Sequence, residues 1–142
     1  ESDYGVAADV WSLTSVNELQ REGKAAQRWN LLHPTEPPRV PYVTQLLRDA
    51  GGPVVAATDY LKLYADQIRE FVPARYTVLG TDGFGRSDTR RQLRGFFEVS
   101  RDYIVIAALK ALADEGRLPP ERVAQAIDTL GVDPDKPNPM SV

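Results

Sequence analysis

Short apolar runs alternating with amphipathic helical stretches predict an α/β fold, with a mostly parallel sheet covered by helices on both faces. Three observations carry that expectation. The runs PVVAAT at 53–58 and YTVLG at 76–80 are continuous and apolar, as strands covered on both faces are. Residues 6–14 mix Val, Trp and Leu beyond a turn at Gly5 and read as a further strand. Apolar residues elsewhere recur at helical spacing. With 142 residues, 42% of them hydrophobic and 26% charged, the chain suffices for one folded domain, expected to occupy residues 1–142.

In chain order, Ser15 stands three residues before Glu18, a capping-box spacing that should start a helix. Gly23 ends or interrupts it, and residues 24–32 resume with Trp29 on the inner face. Prolines at 34, 37 and 38 forbid regular helix after His33. Pro41 suits a first helical turn, followed by the stripe Val43, Leu46, Leu47 and Ala50 and a stop at Gly51-Gly52. After the 53–58 run, Asp59 is placed to cap a helix with the stripe Leu61, Tyr64, Ala65, Ile68 and Val72, closed by Pro73. Leu93, Phe96 and Phe97 suggest a helix after residue 88. Residues 103–113 begin like a strand with Ile104-Val105-Ile106, but their alanine-rich continuation to Glu115 favours a helix buried on most sides, capped by Ser100 and ended by Gly116. Pro119-Pro120 open a last helix bearing Val123, Ala126, Ile127 and Leu130, with Gly131 at its end. Residues 133–142 form a proline-rich tail that lies on a surface or frays.

The loop that follows the 76–80 run is the candidate site: Asp82, Gly83, Phe84, Gly85, Arg86, Ser87 and Asp88, preceded by Thr81. Ligands gather at the carboxyl ends of strands in open α/β sheets, and helix amino termini attract anions, so a phosphate is one reading. Against it, the spacing is not G-x-G-x-x-G, no Lys-Ser or Lys-Thr follows, and Asp82 and Asp88 repel phosphate. In the other reading the glycines make the turn, Asp88 or Thr89 caps the next helix, and Arg86 pairs with a carboxylate. A calcium loop would need alternating oxygen ligands and a terminal glutamate that this segment lacks.

His33 is the only histidine, so a site built on paired histidines is excluded, and no nucleophile stands beside it in sequence. Arg86, Arg90, Arg91 and Arg94 crowd together, either as a docking patch or as a solvated helix face. Asp114 and Glu115, near a helix end, suggest solvent exposure. There is no cysteine, which excludes disulfides and thiolate chemistry and suits a reducing cytoplasm. A net charge of −3 gives no reason to expect nucleic acid or an anionic membrane surface, and no apolar run approaches the ~20 residues of a membrane span. From the residues alone, the chain reads as a covered α/β domain with no assembled active site.

Three stretches carry a resemblance: Arg28-Trp29-Asn30-Leu31-Leu32-His33-Pro34 with the TEPPRVPY that follows, LGTDGFGRSD from Leu79 to Asp88, and Phe97-Glu98-Val99. Together they resemble the carboxy-terminal domain of the homodimeric bacterial pyruvate dehydrogenase decarboxylating component, a thiamine-dependent, transketolase-like family. The likeness runs from Ala8-Asp9-Val10-Trp11-Ser12 to the tail around residues 133–136, and Gly95 departs from the polar residue expected there. The resemblance implies an enzyme that decarboxylates pyruvate with thiamine diphosphate and magnesium and acetylates the lipoyl group of an acyltransferase component. It implies no cofactor site, metal site or catalytic residue in this segment, since those belong to upstream thiamine-binding domains and to the second subunit of a homodimer. It further implies a domain that lacks its first strand, with Tyr4-Gly5 ending the helix before it and a sheet edge left exposed. The expected role is structural and dimer-supporting, with residues 82–88 as an interface loop. The competing role is docking of another complex component or an anionic regulator through the Arg86 to Arg94 surface, and a weaker one is a phosphate-ligand enzyme using the same loop.

Overall fold

The computed structural model describes residues 4–142. Its elements run α1 (Val16–Leu32), α2 (Tyr42–Leu47), β1 (Val54–Ala57), α3 (Lys62–Asp66), a 3-10 turn (Arg69–Phe71), β2 (Tyr76–Leu79), α4 (Arg90–Phe96), α5 (Arg101–Asp114), α6 (Pro120–Leu130) and a 3-10 turn (Pro139–Ser141). Among the described residues the sheet has two strands, β1 and β2, parallel and in register from Val54 opposite Tyr76 to Ala57 opposite Leu79.

The side-chain alternation of the strands sorts the packing. Val54, Ala56, Tyr76 and Val78 share a face with Val16 and Leu19 of α1, Val43 and Leu47 of α2, and Tyr64, Ile68 and Phe71. Helix α5 also runs against both strands, and its Leu109 joins Val123 and Ala126 of α6 in a second cluster. The α/β class expected from the sequence therefore stands.

Several local expectations hold. Ser15 is the N-cap of α1, its hydroxyl accepting the Glu18 amide at 3.4 Å. Gly131 ends α6 at φ +63°. Others are corrected. Gly23 does not interrupt α1, because a glycine there lets the helix press against the Phe71 ring. A Cβ at residue 23 would lie 2.5 Å from that ring. Trp29 is half-buried, not a core residue. Helix α2 stops at Leu47, leaving Leu46 and Ala50 exposed, and Leu61 is likewise exposed at the start of α3. Ser100 stands at the N-cap of α5, but its hydroxyl bonds the Asp102 carboxylate at 3.5 Å and no backbone amide.

The strand expected over residues 6–14 does not form. These residues have no regular structure, and Val10 is 95% exposed. An apolar run becomes a strand only where a neighbour satisfies its backbone, and neither β1 nor β2 pairs with it. Tyr4 lies in a turn and Gly5 takes φ +68°, while the helix expected to end there falls on residues outside those described.

Candidate functional site

The loop from Thr81 to Asp88 leaves the carboxyl end of β2 and is fastened at both ends. At its start the chain passes close to the segment that enters α3. The Thr81 amide donates to Tyr60 O at 2.9 Å and the Thr81 hydroxyl to Asp59 O at 3.1 Å. Gly80 is required there, since a Cβ would stand 2.7 Å from the Lys62 backbone nitrogen and 2.8 Å from Tyr60 O. Asp82 then accepts the Lys62 amide at 3.0 Å, with the Lys62 ammonium 3.9 Å from its second oxygen. Asp82 is thus the cap of α3, from twenty residues away in sequence. Asp59, the residue expected to do this, pairs instead with Arg94 at 2.9 Å.

At its far end the Asp88 carboxylate accepts the Thr89 amide at 2.7 Å, and the Thr89 hydroxyl accepts the Gln92 amide at 3.4 Å. Thr89, one of the two caps foreseen, starts α4. Between these fastenings Gly83 takes φ +103°. The carbonyl of Pro139, from the tail, lies 2.7 Å from where a Cβ of residue 83 would sit. Gly85 is open, and Phe84 is 84% exposed. Arg86 does not find the carboxylate expected for it. Its guanidinium lies 4.1 Å from the centre of the Phe96 ring, a cation–π contact. Arg86, Ser87 and Asp88 line a solvent-open depression of about 510 Å³ with Gln92, Leu93 and Phe96.

These side chains do not make a diphosphate cradle. Asp82 and Asp88 spend their oxygens on backbone amides, and they place negative charge where a phosphate would need positive. Arg94, at the carboxyl end of β1, is neutralised by Asp59, whose hydrogen bond and charge raise the guanidinium's pKa. No group of three or more His, Asp or Glu among the described residues is placed to hold a metal ion. The donor set therefore does not fit thiamine diphosphate with magnesium.

His33 sits elsewhere. Its ring stacks on Trp29 at 4.4 Å, its Nδ1 lies 2.8 Å from Trp29 O, and Arg39 packs 4.2 Å from the same indole. Asn30 clasps the Arg39 backbone with two hydrogen bonds, 2.7 and 2.9 Å, which fastens the proline-rich excursion to α1. That geometry is structural. All four clustered arginines are exposed, Arg86 against the Phe96 ring, Arg94 paired with Asp59, and Arg90 and Arg91 on the first turn of α4.

The tail supplies the residues that sequence reasoning missed. Lys136 donates to Phe96 O at 2.6 Å and to the Glu98 carboxylate at 3.1 Å. Glu98 is the one non-glycine residue among those described with positive φ, at +62°. Its backbone conformation closes the turn between α4 and α5. The neighbouring Tyr103 has its pKa raised, first by burial and then by the charges of Glu98 and Asp133. The sequence marked the FEV stretch and the tail around residues 133–136 separately but not their contact, because Lys136 and Glu98 are 38 residues apart.

The amino-acid sequence of this chain matches a known family. Residues 1–100 fit the family described as the transketolase-like TK C-terminal domain. The chain belongs to that family. The chain is 58% identical over its whole length to a protein of Cupriavidus necator named pyruvate dehydrogenase E1 component, of which it covers 16%. It is 59% identical over 98% of its length to the protein of that name from Haemophilus influenzae, again covering 16% of the relative. The Escherichia coli K12 protein of that name is 56% identical over 96% of the chain, which covers 15% of it. The chain thus spans about a sixth of the relatives it matches. Among its described residues no helix is long and apolar enough to cross a membrane.

Proposed function

We propose that this domain is the carboxy-terminal structural region of a homodimeric subunit that decarboxylates pyruvate with thiamine diphosphate and magnesium and acetylates the lipoyl group of an acyltransferase component. In this reading the cofactor is held by upstream thiamine-binding domains of the same chain together with the second subunit. The present domain supports their association, and residues 82–88 pack against them.

The observation that carries the loop's role is Phe84. It stands 84% exposed on a loop whose start is tied to α3 by Asp82 and whose end runs into the Thr89 cap of α4. A large apolar ring held out on a preordered backbone suits an interface anchor, because little ordering entropy remains to be lost on association. The high identity to proteins named pyruvate dehydrogenase E1 component supports the choice of parent enzyme.

The test is Phe84→Asp in the intact subunit, read by sedimentation and by turnover of pyruvate. The dimer dissociation constant is expected to rise by about tenfold or more, with activity falling in parallel at low protein concentration. Unchanged association together with unchanged turnover would remove the interface role.

The exposure of Arg90 and Arg91 favours a second reading, in which α4 docks an acidic partner or an anionic regulator. Replacing both by alanine should then weaken salt-sensitive binding to the acyltransferase component. Binding at parent strength would eliminate that role.

A further inference from the structure

The tail and the glycine-rich loop meet directly at one point and share one neighbour, the Phe96 ring. Pro139 is buried, and its carbonyl occupies the space a side chain at Gly83 would need. The Phe96 ring carries both the Arg86 guanidinium from the loop, at 4.1 Å, and the Lys136 ammonium from the tail, at 5.3 Å. The tail itself has an ordered backbone. Asp133 accepts the Asp135 amide at 2.9 Å, and Asn138 accepts the Met140 amide at 2.9 Å while its carbonyl accepts that of Ser141. Lys136 is bonded at once to Phe96 O and to Glu98, the residue held at φ +62°.

We propose that residues 133–141 are a strap that sets the conformation of the 81–88 loop, with Lys136 and Pro139 as its two fastenings. The loop's start is tied to α3 by Asp82 and its end runs into the Thr89 cap of α4, but among the described residues its centre, from Gly83 to Arg86, is held by the Pro139 contact and the Phe96 stack. Lys136 acts as a positioning residue. By bonding the Phe96 carbonyl and Glu98 it fixes the α4–α5 turn, and with it the ring on which Arg86 rests. Releasing the strap frees the centre of the loop and the orientation of Phe84, while the sheet keeps its own core. This linkage stands on contacts within the domain and does not rest on the identity of the parent enzyme.

Limited proteolysis and hydrogen exchange of the intact protein test it from both sides. In Lys136→Met, trypsin cleavage after Arg86 is expected to run about tenfold faster, the equivalent of one lost charge-assisted hydrogen bond, while the amides of β1 and α6 keep their exchange protection. In Gly83→Ala the change is made in the loop and read in the tail. The hydrogen-bonded amides of Met140 and Ser141 should exchange faster by a similar factor, because the Pro139 carbonyl must move. If cleavage after Arg86 runs at the parent rate in Lys136→Met, or the tail amides exchange at the parent rate in Gly83→Ala, the strap does not set the loop and the proposal fails. Should Lys136→Met loosen the whole fold, the Gly83→Ala readout decides alone.

Discussion

The face of the sheet that buries Phe71 and the edge that carries the glycine-rich loop are held by different physics. Around Phe71 the partners are apolar, and the close approach of α1 at Gly23 brings helix backbone against an aromatic ring. Side-chain hydrogen bonds there end on backbone carbonyls: the Thr44 hydroxyl donates to Phe71 O, the Tyr76 hydroxyl to Ala65 O at 2.9 Å, Arg69 to Tyr76 O at 2.7 Å and Gln67 to Tyr64 O at 2.7 Å. Around the loop the order is reversed. Asp82, Asp88, Arg94 and Lys136 each make a specific polar contact, and the one large apolar residue, Phe84, faces outward. The first region should lose stability in large steps when volume is removed. The second should lose local order in small steps when single bonds are removed.

The largest effect is expected from Phe71→Ala. Phe71 is 3% exposed, and the cavity left beneath α1 should cost about 3–5 kcal/mol in a urea unfolding experiment. A loss under about 1 kcal/mol would mean that α1 collapses onto the vacated space at Gly23 and that packing here is plastic.

Tyr76 gives the next effect, through pH. Burial raises its phenol to about 12, the charge of Asp66 adds to the rise, and Arg69 opposes it. The folded state thus prefers the protonated, neutral phenol relative to the unfolded chain, whose phenol titrates near 10. The contribution is complete below pH ~10 and is lost as pH climbs toward 12, on the order of 2 kcal/mol in all. Stability measured from pH 9 to 12 should fall in the parent chain and fall less in Tyr76→Phe. Parallel curves would show that other groups govern alkaline unfolding.

Asp82→Ala sharpens the contrast from the other side. Removing a single cap should cost about 1 kcal/mol, with faster exchange confined to the first turn of α3 and the 81–88 loop. If the loss matched that of Phe71→Ala, the two regions would not be energetically distinct.

The contrast also explains what could be read in advance. The Ser15 cap, the Gly131 stop and the α5 and α6 helices were legible because each depends on residues within a turn or two of one another, and β1 and β2 were legible as continuous apolar runs. The candidate loop was legible as a place, from its glycines and its position after a strand, but not as a set of contacts. Asp59 looked like the cap of α3 because it stands just ahead of it, yet the cap comes from Asp82 across the parallel pair. Arg86 looked like half of an ion pair, yet its partner is the Phe96 ring. Residues 6–14 had the composition of a strand and remain exposed, because a strand is a property of two segments.

The amino-acid sequence by itself determined the class of fold, the positions of most helices, the apolar stripes of the core and the family of the domain. The first three follow from periodicity, capping and chain stiffness, which act over a few residues, and the family from its resemblance at residues 28–34, 79–88 and 97–99. Tertiary structure alone decided which carboxylate caps α3, that Gly23 is a packing contact, that Lys136 fastens the tail to the α4–α5 turn and that Pro139 meets Gly83. These contacts join residues tens of positions apart. Their energy exists only once the sheet has brought the two stretches within a hydrogen bond's length.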